Sequence, residues 1–491
     1  MKTLDRLMRQ SAVAAGLAVG ILALAGCTTP ASDTRKPDLK VAAAFANGRQ
    51  ANVTAAAAPA DPEWWRGFHD PTLDGLVAQS LRSNQDLRIA LARIQETRAL
   101  YGVAVLGAFP IITANGGYEH ALASEAAQPG LSRDQRTSSL FTAGFDATWE
   151  LDFFGRVRAG IKAANAEISL TEANLHDVQI TLAAEVARHY FDLRGNQQQL
   201  AIARQNADNQ RETANLTAAK LEAGTATEFD VSRAQTQLNN TLAIIPPLEA
   251  AIQRAIHRLG VLTGQPPTTL TATLTTPAPW PATPELVTIG DPATLLRRRP
   301  DIRAAEAALA ASNALVDMSV ADLFPKVTFN GAIGVQASQF PDLGRHGATT
   351  YAFGPYLSWA ALDLERVREH IRATNAQADA ELARYEKTVL TALEETENAL
   401  VDFDRERVRC HYLTIAAHHA ETSVGLARQR YDGGISDFLA VLDAERAQLV
   451  IQEELATSQT RTNTDLVALY KALGGGWETA PFPVMPPPAK P

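Results

Sequence analysis

Between Phe141 and Leu151 apolar side chains take every second position. Phe141, Ala143, Phe145, Ala147, Trp149 and Leu151 stand on one side, and Thr142, Asp146, Thr148 and Glu150 on the other. The alternation returns from Val327, with Val327, Phe329, Ile333 and Val335 set against Lys326, Thr328, Asn330 and Gln336. A third run groups Tyr351, Phe353, Leu357 and Trp359 opposite Gly354 and Ser358, and the segment from Ile111 to His120 is a weaker fourth. Period two over roughly ten residues, with aromatics near the ends, predicts outer-membrane strands. A soluble antiparallel sheet with one wet face shares the pattern.

A different period follows each strand pair. No proline occurs between Pro129 and Pro246 or between Pro355 and Pro481, and Ala, Leu, Glu, Gln and Arg dominate there, so very long helices are predicted. In the second stretch Leu382, Tyr385, Val389, Leu393, Thr396, Leu400 and Phe403 recur at steps of three and four. That spacing is a coiled-coil seam. A helix from about 152 to 222 would reach on the order of 105 Å at 1.5 Å per residue, too long for a compact globule.

The features come twice. Phe109-Pro110 is echoed by Phe324-Pro325, Leu151-Asp152 by Leu362-Asp363, Ala223-Gly224-Thr225 by Gly433-Gly434-Ile435, and Leu259-Gly260 by Leu473-Gly474. The chain therefore reads as a tandem duplication of helix, strand pair, long helix, glycine turn and returning helix. Four strands cannot close a membrane barrel, because the smallest have eight, and an open edge in lipid leaves backbone groups unpaired. Several chains must share one barrel: two would give eight strands, three would give twelve.

The N-terminus adds a location. Lys2, Arg6 and Arg9 precede an apolar run from Ala12 to Ala25 that ends in Leu24-Ala25-Gly26-Cys27. This is a secretory signal with what looks like a bacterial lipoprotein box, which implies cleavage before Cys27 and acylation of that cysteine. Thr28 after the cysteine, rather than Asp, favours the outer membrane by analogy with sorting rules. Cleavage removes three basic and one acidic side chain, so the formal charge goes from −9 to −11. An acidic balance argues against nucleic acid as a partner. Two cysteines, Cys27 and Cys410, exclude a disulfide framework and a multi-cysteine zinc site. No later run of about 18 apolar residues predicts a membrane helix.

The chain resembles the TolC/OprM-type outer-membrane factors, in their NodT-like lipoprotein branch. The resemblance runs from Trp64-Trp65, Phe68 and Asp70-Pro71 to Gly474-Gly475-Gly476-Trp477. It is most specific in the run from Leu295 through Arg297-Arg298-Arg299-Pro300-Asp301 to Glu306. Ala321-Asp322-Leu323-Phe324-Pro325, Tyr431-Asp432-Gly433-Gly434 and Val441-Leu442-Asp443-Ala444 match as well. It implies a mainly α protein with membrane β, in which a homotrimer builds a 12-stranded outer-membrane β-barrel continued by a long periplasmic α-helical coiled-coil barrel. It also implies passive export of drugs or other small molecules delivered by an inner-membrane RND-type transporter through a periplasmic adaptor (membrane fusion) protein. No cofactor is implied beyond covalent lipid on Cys27.

On this reading residues 1–26 are the signal peptide and 27–62 an acylated linker. Repeat 1 covers 63–264, with strands at about 110–151 and a hairpin tip near 224. An inter-repeat segment covers 265–290. Repeat 2 covers 291–476, with strands at about 325–362 and a tip near 434, and 477–491 is a Pro-rich tail. The glycine turns at Gly224-Thr225 and Gly433-Gly434 reverse the rods, and the resemblance makes them adaptor-contacting tips. Asp230, Leu439, Asp443 and Arg446 match gate positions at the periplasmic mouth, where a ring of Asp443 carboxylates would favour cations. Solvated charge on a helix surface is the plainer account of each. Ala440 and Ser436 stand where some relatives carry an acid and an arginine, so those links do not carry over.

Asp291-Pro292 and Pro300 begin helices, and Arg297 to Arg299 end a short one, so the arginine run is expected to be structural. No catalytic motif stands out. His418, His419 and Glu421 lack zinc spacing, and Cys410-His411 is expected to pack in a core. An enzyme is a poor fit. A periplasmic adaptor, or a duct for peptide or protein secretion, remains as an alternative.

Overall fold

A computed structural model describes residues 41–48, 53–54, 62–284 and 287–478. The expected signal peptide, Cys27 and nearly all of the Pro-rich tail lie outside the described residues. The chain divides into two compact units. The first gathers Ile94–Thr171 and Ala305–Glu386; the second gathers the described parts of Leu39–Arg93, Glu172–Ala304 and Lys387–Pro491.

In the first unit, strands β1 (Ile111–Leu122), β2 (Thr137–Leu151), β3 (Lys326–Ala337) and β4 (Thr349–Ser358) form one antiparallel sheet in that order. The register places Phe145 opposite Ile333, and Ile333 opposite Tyr351, so the alternating apolar positions of the strands share a face. That face is bare: Phe145, Ile333, Tyr351 and Phe353 are 57–73% exposed. A soluble sheet buries its apolar side, and this one does not. Among the described residues β1 and β4 each leave an edge without a partner strand. Two tryptophans pin the strand ends in matching fashion, Trp149 Nε1 donating to the Ala108 carbonyl and Trp359 Nε1 to that of Leu323, at 2.9 and 3.0 Å.

Two helices enter each half: α1 (Pro71–Ser83) and α2 (Gln85–Leu106), then α5 (Pro292–Arg298) and α6 (Pro300–Ala321). The long helices are α3 (Arg156–Glu222), α4 (Glu228–Leu262), α7 (Leu364–Asp432) and α8 (Phe438–Ala472). At 67 residues α3 is about 100 Å long at 1.5 Å per residue. It begins four residues later than the expected 152, because the Asp152 carboxylate accepts from the backbone N–H of Val157 and Arg158 and marks the start. α4 runs on through Pro246 and Pro247, beyond the proline-free window. No described helix is long and apolar enough to cross a membrane.

The second unit has an aromatic core. Trp64, Phe68, Tyr190 and Phe191 are buried; Trp64 stacks on Tyr470 at 5.1 Å and Phe68 meets Phe191 at 4.7 Å. Asp70 caps α1 with one oxygen and takes the Tyr190 hydroxyl with the other. Burial, then the Asp70 hydrogen bond, push the Tyr190 phenol up to about 12. Arg299 is structural, as its position after a short helix implies. Almost buried, it pairs with Asp301 (2.6 Å) and Glu395 (2.7 Å) and donates to the Ala472 carbonyl (3.0 Å), tying α5, α7 and the end of α8 together. Cys410 is half-buried, but His411 is exposed on α7, so the expected packing of the pair holds for the cysteine alone.

Candidate functional site: the paired hairpin turns

Both rods reverse through the same backbone device. Gly224 (φ +75°) and Gly434 (φ +69°) occupy the left-handed region that side chains avoid. At the first turn Thr225 N–H reaches back to the Lys220 carbonyl and Gly224 N–H to that of Leu221. At the second, Ile435 reaches Arg430 and Gly434 reaches Tyr431, all at 2.8–3.0 Å. These are Schellman closures, which satisfy carbonyls at a helix end. Gly433 has no positive φ, and its counterpart in the first turn is Ala223, so the glycine requirement falls on Gly434.

The returning helices start on caps. Thr227 accepts from Asp230 N–H, and the Asp230 carboxylate accepts from the Thr227 N–H (3.0 Å) and hydroxyl (2.7 Å). Those hydrogen bonds hold the Asp230 carboxyl below its usual range. Asp230 is thus engaged in a capping box. Asp437 plays the cap at α8, accepting from Ala440 N–H.

The two hairpins pack on each other around Ala214, Ala234, Phe438, Val441 and Leu442, with Ala427 and Tyr431 against them. Tyr431 and Phe438 rings lie 5.4 Å apart. Inside this seam sits a carboxylate that the residue pattern alone did not single out. Glu445 is buried, takes Arg428 Nη2 at 2.8 Å and the Thr213 hydroxyl at 3.1 Å, and thereby links α3, α7 and α8. Its signal was available: Leu442, Glu445 and Leu449 share one face of α8 at helical spacing.

A face of α8 about 100° round from that buried one carries Leu439, Asp443 and Arg446, one above another at positions i, i+4 and i+7, all exposed. Among the described residues no ion pair joins Asp443 to Arg446 within the chain. The turns and the three-residue face therefore belong to one region, while Asp230 is occupied at its own cap. Among the described residues no group of three or more His, Cys, Asp or Glu is placed to hold a metal.

A family model described as outer membrane efflux protein matches residues 76–265 and again residues 292–475. Nodulation protein T of Rhizobium leguminosarum bv. trifolii is 31% identical over 458 residues, 93% of this chain and 96% of that protein. The solvent efflux pump outer membrane protein SrpC of Pseudomonas putida is 30% identical over 467 residues, 94% of this chain and 97% of that protein. Among solved structures, the outer-membrane channel OprN superposes with a TM-score of 0.83 at 40% identity, over 90% of this chain and 99% of that one.

Proposed function

Because this chain belongs to the outer membrane efflux protein family, we propose that it is the exit duct of a tripartite efflux system. It passively releases drugs or other small molecules handed over by an inner-membrane RND-type transporter and a periplasmic adaptor. One observation carries the reading: a four-stranded sheet with its apolar face bare and both outer edges open is a fragment of a barrel, not a finished sheet. Three copies give twelve strands, enough to close. The duct sits in the outer membrane and continues into the periplasm as helices. Transport through it needs no catalytic step and no cofactor.

The repeats are taken as 63–264 and 291–476, joined by 265–290. Acylation of Cys27 supplies a second hold on the membrane besides the strands. The turns at Gly224-Thr225 and Gly433-Gly434 serve as the adaptor contact. Leu439, Asp443 and Arg446 form the gate face, and this is supported by their shared exposed face and by the lack, among the described residues, of an ion pair for either charge. Asp230 acts there through its cap.

The test is assembly and conductance. Purified full-length protein in detergent is cross-linked and then reconstituted into planar bilayers. Cross-linking that ends at trimer, with discrete channel currents, is the expected result. Saturation at dimer, or a sheet-bearing monomer without conductance, overturns the reading.

A further inference from the structure

A cavity of about 430 Å3 opens among α3, α4 and α8, lined by Arg254, Arg258, Arg461, His189, Asp192 and Asn196 among others. It lies wholly in the second unit. Its floor exists because residue 195 is glycine: a Cβ there would meet the Thr460 hydroxyl at 2.2 Å, so α3 and α8 touch at this level. The face of α3 that carries Tyr190, Arg194 and Gln197 is covered, since these bond to Asp70 and to the carbonyls of Thr276 and Leu274. His189, Asp192, Asn196 and Gln199 point roughly 150° away from that face, at 100° per helical residue. The cavity is thus on the side that this cover leaves open.

Three arginines and one acid line it. Arg258 is matched by Glu185 at 2.8 Å. Among the described residues Arg254 has no ion pair, and Arg461 has none within 4 Å, though its charge acts on the half-buried Asp465 nearby. Asp192 stands 3.8 Å from His189 rather than on an arginine. Burial first, then Arg188 and Arg258, keep His189 below its ordinary value, against Asp192 and Glu185, which act the other way. A guanidinium presents a planar fork of donors that matches a carboxylate or phosphate, and the volume admits such an anion together with its water. We propose that this cavity binds a small oxyanion, a carboxylate- or phosphate-bearing solute, held between Arg254 and Arg461 with Asn196 as an amide donor.

The test uses the full-length protein in detergent at low salt, titrated separately with citrate and with inorganic phosphate by calorimetry. Saturable binding of citrate, of phosphate or of both is expected, and the ligand that binds tells carboxylate from phosphate. The double substitution Arg254→Gln with Arg461→Gln should weaken it by about tenfold or more, because charge-assisted bonds are lost. Arg211→Gln, on exposed α3 surface beside Asp208, should not. No binding by either anion, equal loss in R211Q, or an unchanged affinity in the double variant overturns the site. So does a double variant that dissociates, since the arginines would then face another copy of the chain. Binding is read without transport, so a negative result leaves the exit-duct reading standing.

Discussion

Lys220 Nζ stands 3.7 Å from the ring centroid of Tyr431, joining the last turn of one rod to the last turn of the other. The same ring packs on Phe438 at the start of α8. One aromatic side chain therefore holds three helix ends, and the cation adds about 0.5–1 kcal/mol at an exposed site.

Replacing Tyr431 by Ala should loosen the pairing of the hairpins and raise the resting conductance of the reconstituted channel. Tyr431→Phe keeps the ring and should stay near wild type. Equal currents from Y431A and wild type would detach this contact from channel closure.

The gate face makes a separate prediction. In a trimer each of Leu439, Asp443 and Arg446 appears three times about one axis, and crowded carboxylates repel one another while attracting cations. Asp443→Ala should lower cation selectivity, and Leu439→Ala should raise resting conductance. Reversal potentials and single-channel currents in planar bilayers measure both. If neither variant departs from wild type, the constriction lies elsewhere.

The turns separate glycine that is required from glycine that is tolerated. Alanine at Gly224 or Gly434 forces a side chain into the left-handed region, costing about 1 kcal/mol at each turn. Gly433→Ala should cost much less, since its φ is not positive and Ala223 already fills the matching place. Amide exchange at the hairpin ends reads this directly: faster in G224A and G434A, little changed in G433A.

Much of this fold was legible in the chain because its patterns are long. Alternation over Phe141–Leu151 marks a strand, soluble or membrane-facing, and a seam through Val389, Thr396, Leu400 and Phe403 marks a long helix, whose seam residues are buried. Glycine turns were legible because a helix must reverse somewhere. What stayed hidden was pairing across distance. Glu445 looks like any helical acid until Arg428 and Thr213 arrive from two other helices. The cap that engages Asp230 was legible, since Thr227 and Asp230 stand at the three-residue spacing of a capping box. His411 follows a half-buried Cys410 yet points out, since neighbours on a helix are 100° apart.

Glu397 on α7 gathers a part of the expected N-terminal linker. Its carboxylate accepts from Ala46 N–H (2.7 Å), Asn47 N–H (3.1 Å) and the Asn47 side-chain amide (2.7 Å), beside buried Phe45. Glu397→Ala removes all three bonds, so limited proteolysis between residues 41 and 48 should accelerate several-fold while the trimer persists. A cleavage rate equal to wild type would mean that Phe45 alone holds the segment.

Asp465 on α8 supplies a pH dependence whose sign is fixed. Burial first, then the nearby Asp402 and Glu406, raise its carboxyl to about 6 against Arg461, which acts the other way. The folded protein therefore binds this proton more tightly than the unfolded chain does. Stability contributed by protonation is fully present below the unfolded value near 3.8 and is lost as pH rises through about 6. At neutral pH the half-buried carboxylate is charged beside two like charges. Asp465→Asn removes that charge without changing the shape, so it should raise the thermal midpoint above wild type at about pH 8, and the gap should close as pH falls to about 4. The comparison is made on full-length trimer at both pH values. A D465N midpoint at or below wild type at the higher pH would show that Asp465 is satisfied by a partner in the assembled trimer, and the shift would then belong to the single chain only.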